Sequence, residues 1–111
     1  MTEPTIQDWL WAEVMCVQAI IGSVSQNFRQ IILSYEGDEW IISVTLEKSN
    51  DDDLEEVSDI VDEFSAFLED IKDQLTCAAY SRVRSVINVT CGKLIYDMGK
   101  NGRVIFRRKE K

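Results

Sequence analysis

An apolar stripe beginning at residue 54 constrains the fold most. Leu54, Val57, Val61, Phe64, Leu68, Ile71 and Leu75 follow one another at alternating spacings of three and four residues. That rhythm keeps them on one side of an α-helix and forces that side against another element. The stripe runs along about six turns at 3.6 residues each. About three heptads make a short coiled coil, so the pattern favours a helix lying on a sheet. Ile60 and Phe67 widen the stripe, Ser49-Asn50-Asp51 offers N-caps, and the other positions are largely acidic.

The remaining elements follow from period and punctuation. Thr5 can cap a first helix, with Asp8 three residues on completing a weaker capping box. Ile6, Trp9, Leu10, Val14, Cys16, Val17, Ile20 and Ile21 then recur at helical spacing as far as Gly22. Gln7, Glu13 and Gln18 are its polar points, so this helix is apolar around most of its circumference. Such a helix is buried on more than one side, either within its own domain or against another chain. Residues from Asn27 to Thr45 read as a hairpin. Ile31, Leu33 and Tyr35 alternate with Gln30, Ile32 and Ser34, and Trp40, Ile42, Val44 and Leu46 alternate with Ile41, Ser43 and Thr45. A four-residue connection, Glu36-Gly37-Asp38-Glu39, joins them, with Gly37 free to take positive φ. Val83, Val86, Ile87, Val89 and Thr90 suggest a third strand, Lys93 to Tyr96 a short one, and Val104 to Phe106 the last. Asn101-Gly102 is a strong turn pair before it. The order α-β-β-α-β-β implies an α+β fold, helices packed on an antiparallel sheet, with residues 1–111 as one domain.

Chemistry is conspicuously missing. The chain has no histidine, which removes the commonest general base and metal ligand and every Ser-His or Cys-His nucleophile pair. Its five glycines are scattered, so no phosphate loop forms. Asp51-Asp52-Asp53 lacks the spaced ligands, the central Gly and the closing Glu of an EF-hand. Cys16, Cys77 and Cys91 are odd in number and far apart, which suits reduced thiols in a cytoplasm better than disulfides. No run of apolar residues approaches the ~20 needed to span a bilayer, and no secretion signal is legible; Asn88-Val89-Thr90 therefore says little as a glycosylation site. The expectation is a non-enzymatic, cofactor-free, cytoplasmic protein without membrane attachment.

Charge is sharply segregated. Residues 36–73 carry fifteen Asp and Glu against Lys48 and Lys72, a net −13, whereas residues 82–111 net +7 and the whole chain −8. A charge run is most often a solvated face, and the helix dipole accounts for Asp51, Asp52, Asp53, Glu55 and Glu56 near the first turns. It does not account for Asp59, Asp62, Glu63, Glu69, Asp70 and Asp73. Asp52 with Glu56, Glu55 with Asp59, Asp59 with Glu63 and Glu69 with Asp73 are like-charge neighbours, together costing about 1–2 kcal/mol. Arg82, Arg84, Arg103, Arg107 and Arg108 offer an internal counterweight, but exposed pairs are worth at most about 1 kcal/mol each. A cationic macromolecule explains the arrangement better, since complementarity of this kind speeds encounter and sets specificity. Nucleases present such cationic grooves. Nucleic acid itself is disfavoured by the negative field.

The stretch Ala19-Ile20-Ile21-Gly22-Ser23-Val24-Ser25-Gln26-Asn27-Phe28-Arg29, then Trp40-Ile41-Ile42, an acidic helix and the closing Gly102-Arg103-Val104-Ile105-Phe106-Arg107-Arg108 resemble small bacterial immunity proteins. These belong to polymorphic-toxin and contact-dependent growth inhibition systems. The similarity covers residues 19–68 and the closing segment, with residues 77–98 unplaced. The resemblance implies a cytoplasmic inhibitor that binds the C-terminal domain of a cognate toxin, often a nuclease. It transfers no contact residue. The charge argument alone nominates Glu36, Asp38 and Glu39 at the hairpin tip and Asp52, Glu55, Glu56, Asp59, Asp62, Glu63 and Asp70 on the second helix as partner-binding residues. Trp11 or Tyr80, if exposed, would supply an aromatic anchor. The alternatives are a homodimeric structural module that buries the first helix, and an acidic chaperone-like adaptor for a secreted effector.

Overall fold

The computed structural model describes residues 3–75, 82–94 and 102–109. In chain order its elements are helix α1 (Ile6–Ile20), strands β1 (Phe28–Glu36) and β2 (Glu39–Leu46), helix α2 (Asp51–Asp70), and strands β3 (Val83–Val89) and β4 (Gly102–Arg107). A 3-10 turn, Lys72–Gln74, follows α2. The order matches the sequence expectation, α+β with two helices packed on one four-stranded sheet. Cys77, Tyr80, the Tyr96 end of the short strand and the Asn101 half of the turn pair lie outside the described residues.

One strand pairing departs from an antiparallel sheet. The spatial order is β3-β2-β1-β4, and β3 runs parallel to β2 while β1 pairs antiparallel with both β2 and β4. A strand can lie parallel to its predecessor only through a long crossover. Helix α2 is that crossover: it leaves one end of β2 and returns the chain to the other. The sheet is therefore mixed. The hairpin turn is also tighter than the four-residue connection implied by composition. Glu36 and Glu39 already pair across the strands, leaving Gly37 (φ 60°) and Asp38 (φ 63°) as the two turn residues. Positive φ at both matches the twist of the flanking strands.

Both helices start where the side chains supply caps. Thr5 Oγ1 accepts from the Asp8 amide at 3.1 Å while Asp8 Oδ2 accepts from the Thr5 amide at 3.0 Å, a reciprocal capping box. Asn50 caps α2 by accepting from the amides of Asp52 and Asp53. The strands then alternate as expected: Ile31, Leu33, Tyr35, Trp40, Ile42, Val44 and Leu46 face the helices and are buried. From α2, Val57, Ile60, Phe64 and Leu68 are buried against them, with Leu54, Val61 and Phe67 packed at the margin. The helix stops at Asp70, short of the roughly six turns expected, and Ile71 and Leu75 pack from the turn beyond it.

The core is centred on Trp40. Its ring meets Trp9 of α1 at 5.0 Å between centroids, Tyr35 of β1 at 4.9 Å and Phe64 of α2 at 6.5 Å, all edge to face, the arrangement aromatic quadrupoles favour. Arg103 of β4 lies over the outer side of Trp9, 4.5 Å from the ring centroid, and reaches Glu13 at 3.5 Å, which ties the edge strand to α1.

A polar junction sets the start of α2. Asp53 is buried, and its carboxylate accepts from Ser25 Oγ (2.9 Å) and Asn27 Nδ2 (2.8 Å). Asn27 also donates to the Lys48 carbonyl (2.7 Å) and accepts from the Lys48 amide (2.8 Å). Asp53 is thus the one acid near the start of α2 that serves the fold. Replacing it by alanine leaves Asn27 and Ser25 without their acceptor and should cost about 1–3 kcal/mol in urea denaturation. Burial pushes the Cys16 thiol up to about 12, so it stays protonated through neutral pH. The Cys16 peptide should take up iodoacetamide at pH 8 only after unfolding, as read by mass spectrometry.

Candidate partner-binding surface

A single geometric fact organises the charged surface: α2 has one buried side, and its acids are on the other. Asp52, Glu55, Asp59, Asp62, Glu63 and Asp70 are exposed and Glu56 is half-buried. At 100° per residue they share the half of the helix that points away from Val57, Ile60, Phe64 and Leu68. From Asp52 to Asp70 the row extends about 27 Å at 1.5 Å per residue. It is a ridge rather than a pocket.

Among the described residues no ion pair reaches these seven acids. Among the described residues, three arginines of the second half of the chain pair elsewhere: Arg84 Nε meets Glu39 at 2.6 Å, Arg108 meets Glu47 at 2.9 Å and Arg103 meets Glu13. Arg107 donates to Gln30. Lys72 pairs with Glu69 at the end of the ridge. These arginines hold the edge strands and the hairpin, and among the described residues no ion pair offsets the like-charge repulsion from Asp52 to Glu63.

The hairpin-tip acids do not join this ridge. Tyr35 and Trp40 face the helices, so strand alternation turns Glu36 and Glu39 to the opposite face of the sheet. These two lie directly across from one another, an unfavourable pairing, and Glu39 is offset by Arg84. Asp38 is half-buried in the turn. The ten nominated acids thus form two separate groups, seven along α2 and three at the tip. Trp11 is half-buried.

A further surface was harder to see in the sequence. The apolar residues of α1 split into two faces: Trp9, Ala12, Cys16, Ala19 and Ile20 are buried, whereas Ile6, Leu10, Val14, Val17 and Ile21 are exposed. The even apolar character of this helix was the available signal. Periodicity alone does not tell which face the fold covers.

Among the described residues no group of three or more His, Cys, Asp or Glu could hold a metal ion, and no helix is long and apolar enough to cross a membrane. A cleft of about 590 Å³ lies on the sheet face away from the helices, lined by Gln30, Ser34, Ser43, Thr45, Asn88 and Lys93 among others. Its lining is uncharged apart from Lys93, mixes these polar side chains with Ile32, Val89 and Leu94, and carries no nucleophile–base pair.

A family model described as MafI2 immunity protein matches residues 7–110. No curated protein matches the chain.

If the ridge serves a partner and not the fold, weakening it should stabilise the free protein. Glu63→Lys removes the repulsion with Asp59 and creates an attractive pair at the same spacing. A gain of about 0.5 kcal/mol is expected in urea denaturation.

Proposed function

The chain belongs to the MafI2 immunity protein family, and from that premise we propose that it neutralises one cognate toxin by stoichiometric binding through the acidic face of α2. The toxin domain is a basic, C-terminal one, in keeping with a nuclease whose groove binds phosphate. The protein acts in the cytoplasm of the toxin-producing cell, without catalysis and without a cofactor.

The observation that supports this reading is the row of seven acids on α2 that no ion pair among the described residues reaches. Beyond the first turns folding gains nothing from carboxylates stacked as Glu55, Asp59 and Glu63 are, whereas a cationic groove would relieve the repulsion and contribute hydrogen bonds to them. Asp52, Glu55, Glu56, Asp59, Asp62, Glu63 and Asp70 then pair with Lys and Arg of the toxin and screen its substrate groove. Glu36, Asp38 and Glu39 serve as a second, smaller contact where the toxin reaches around the end of the sheet. Family relatives are immunity proteins by description, which supports the toxin as the partner; the ridge supports its charge.

Co-expression with the product of the adjacent toxin gene, followed by stopped-flow binding, tests the reading. Reversing Asp59, Asp62 and Glu63 together to lysine should slow association at low salt by at least about tenfold and flatten its salt dependence. The urea midpoint of the triple variant should not fall. Unchanged association and unchanged protection of the cell would remove the ridge from the mechanism.

A further inference from the structure

We propose that the outward face of α1 is a self-association surface, on which a second copy of this chain docks through an antiparallel helix pair. Ile6 is 80% exposed, Leu10 51%, Val14 50%, Val17 43% and Ile21 72%. At 100° per residue these five fall within about 80° of the helix circumference, so they form one unbroken strip. Isolated exposed apolar side chains are ordinary, but a contiguous strip of them marks an interaction site.

The strip is matched to itself. A two-fold interface places the same patch on both copies, so the residues of one helix must complement those of the other read backwards. Here Ile6 stands opposite Ile21 and Leu10 opposite Val17, and beside the axis Val14 stands opposite Glu13. The ends are isoleucines of nearly equal exposure, and the inner pair a leucine and a valine of nearly equal exposure. Larger side chains at the ends and smaller ones at the centre let the two helices cross closely in the middle.

Charge permits the same occupant. The acid flanking the strip is Glu13, already tied to Arg103 of its own chain, so two copies meet without placing an unneutralised pair face to face. A strongly cationic partner would find little to bind on this face. Gln7 and Gln18 flank the other side and supply a polar rim. Pairing along a 15-residue helix makes a small interface, at the low end of the specific ones.

The proposal does not depend on the toxin reading, and salt separates the two. Each copy carries a net charge of −8, so screening should tighten an apolar dimer, whereas it should slow capture of a cationic toxin. Sedimentation velocity of the full chain from about 1 to about 100 µM should show a monomer–dimer equilibrium whose Kd falls at high salt. The double variant Leu10→Glu/Val17→Glu should raise that Kd at least about a hundredfold with its urea midpoint unchanged, because it would bury unpaired carboxylates. Reversal of Asp59, Asp62 and Glu63 to lysine should leave the dimer in place. A wild-type chain that stays monomeric across the range overturns the proposal. So does a wild-type dimer that the double variant does not weaken.

Discussion

The architecture depends on one side chain being surrounded: Trp40. It belongs to β2, which is hydrogen-bonded to a neighbour on each side, and it touches aromatic rings from α1, α2 and β1. A large rigid ring has few rotamers to lose and much area to bury, so the helices can settle around it in one arrangement. Arg103 extends that cluster to β4 by covering the outer side of Trp9. The four strands and two helices are in this sense organised about a single indole.

Around that centre the protein separates two requirements by placing them on opposite sides of its helices. The buried sides of α1 and α2 are apolar and meet the sheet. The outward sides are different from each other: α2 presents carboxylates and α1 presents aliphatic side chains. Neither outward side contributes to the core, so each is free to change without loss of the fold. For an inhibitor that must recognise one partner and reject others, this is a favourable division, because specificity can be altered by residues on which stability does not depend. Asp53 marks the boundary of that freedom. It sits among the acids in sequence, yet it is buried and bonded to Ser25 and Asn27, so it belongs to the fold.

Much of the secondary structure was legible because local rules and tertiary packing agree. The stripe from Leu54 to Leu68, the alternation through Leu33, Tyr35, Trp40 and Ile42, and the Thr5–Asp8 capping box all appear where period and cap chemistry place them, but α2 ends at Asp70, so Ile71 and Leu75 of the stripe lie in the turn beyond it. Two features were not legible for identifiable reasons. The direction of β3 depends on where α2 delivers the chain, and strand periodicity is the same for parallel and antiparallel neighbours. The tight turn at Gly37-Asp38 was obscured because Asp38 adopts positive φ, which a non-glycine residue adopts only when the strands on either side require it. Of the nominated acids, Asp38, Glu39 and Glu56 are half-buried and the other seven exposed, and strand alternation carries Glu36 and Glu39 to the face opposite the ridge.

The amino-acid sequence by itself determined the helices, the hairpin, the side of α2 that would be buried and the absence of histidine chemistry, since each of these follows from residue type and spacing along a few turns or one strand pair. Tertiary structure decided the parallel seam, which face of α1 the sheet would cover, and which acids have a cation beside them. Those outcomes depend on contacts between residues distant in the chain, such as Arg84 with Glu39 and Trp9 with Trp40. A periodic pattern specifies a face, and only a neighbour brought in by the fold determines whether that face is covered.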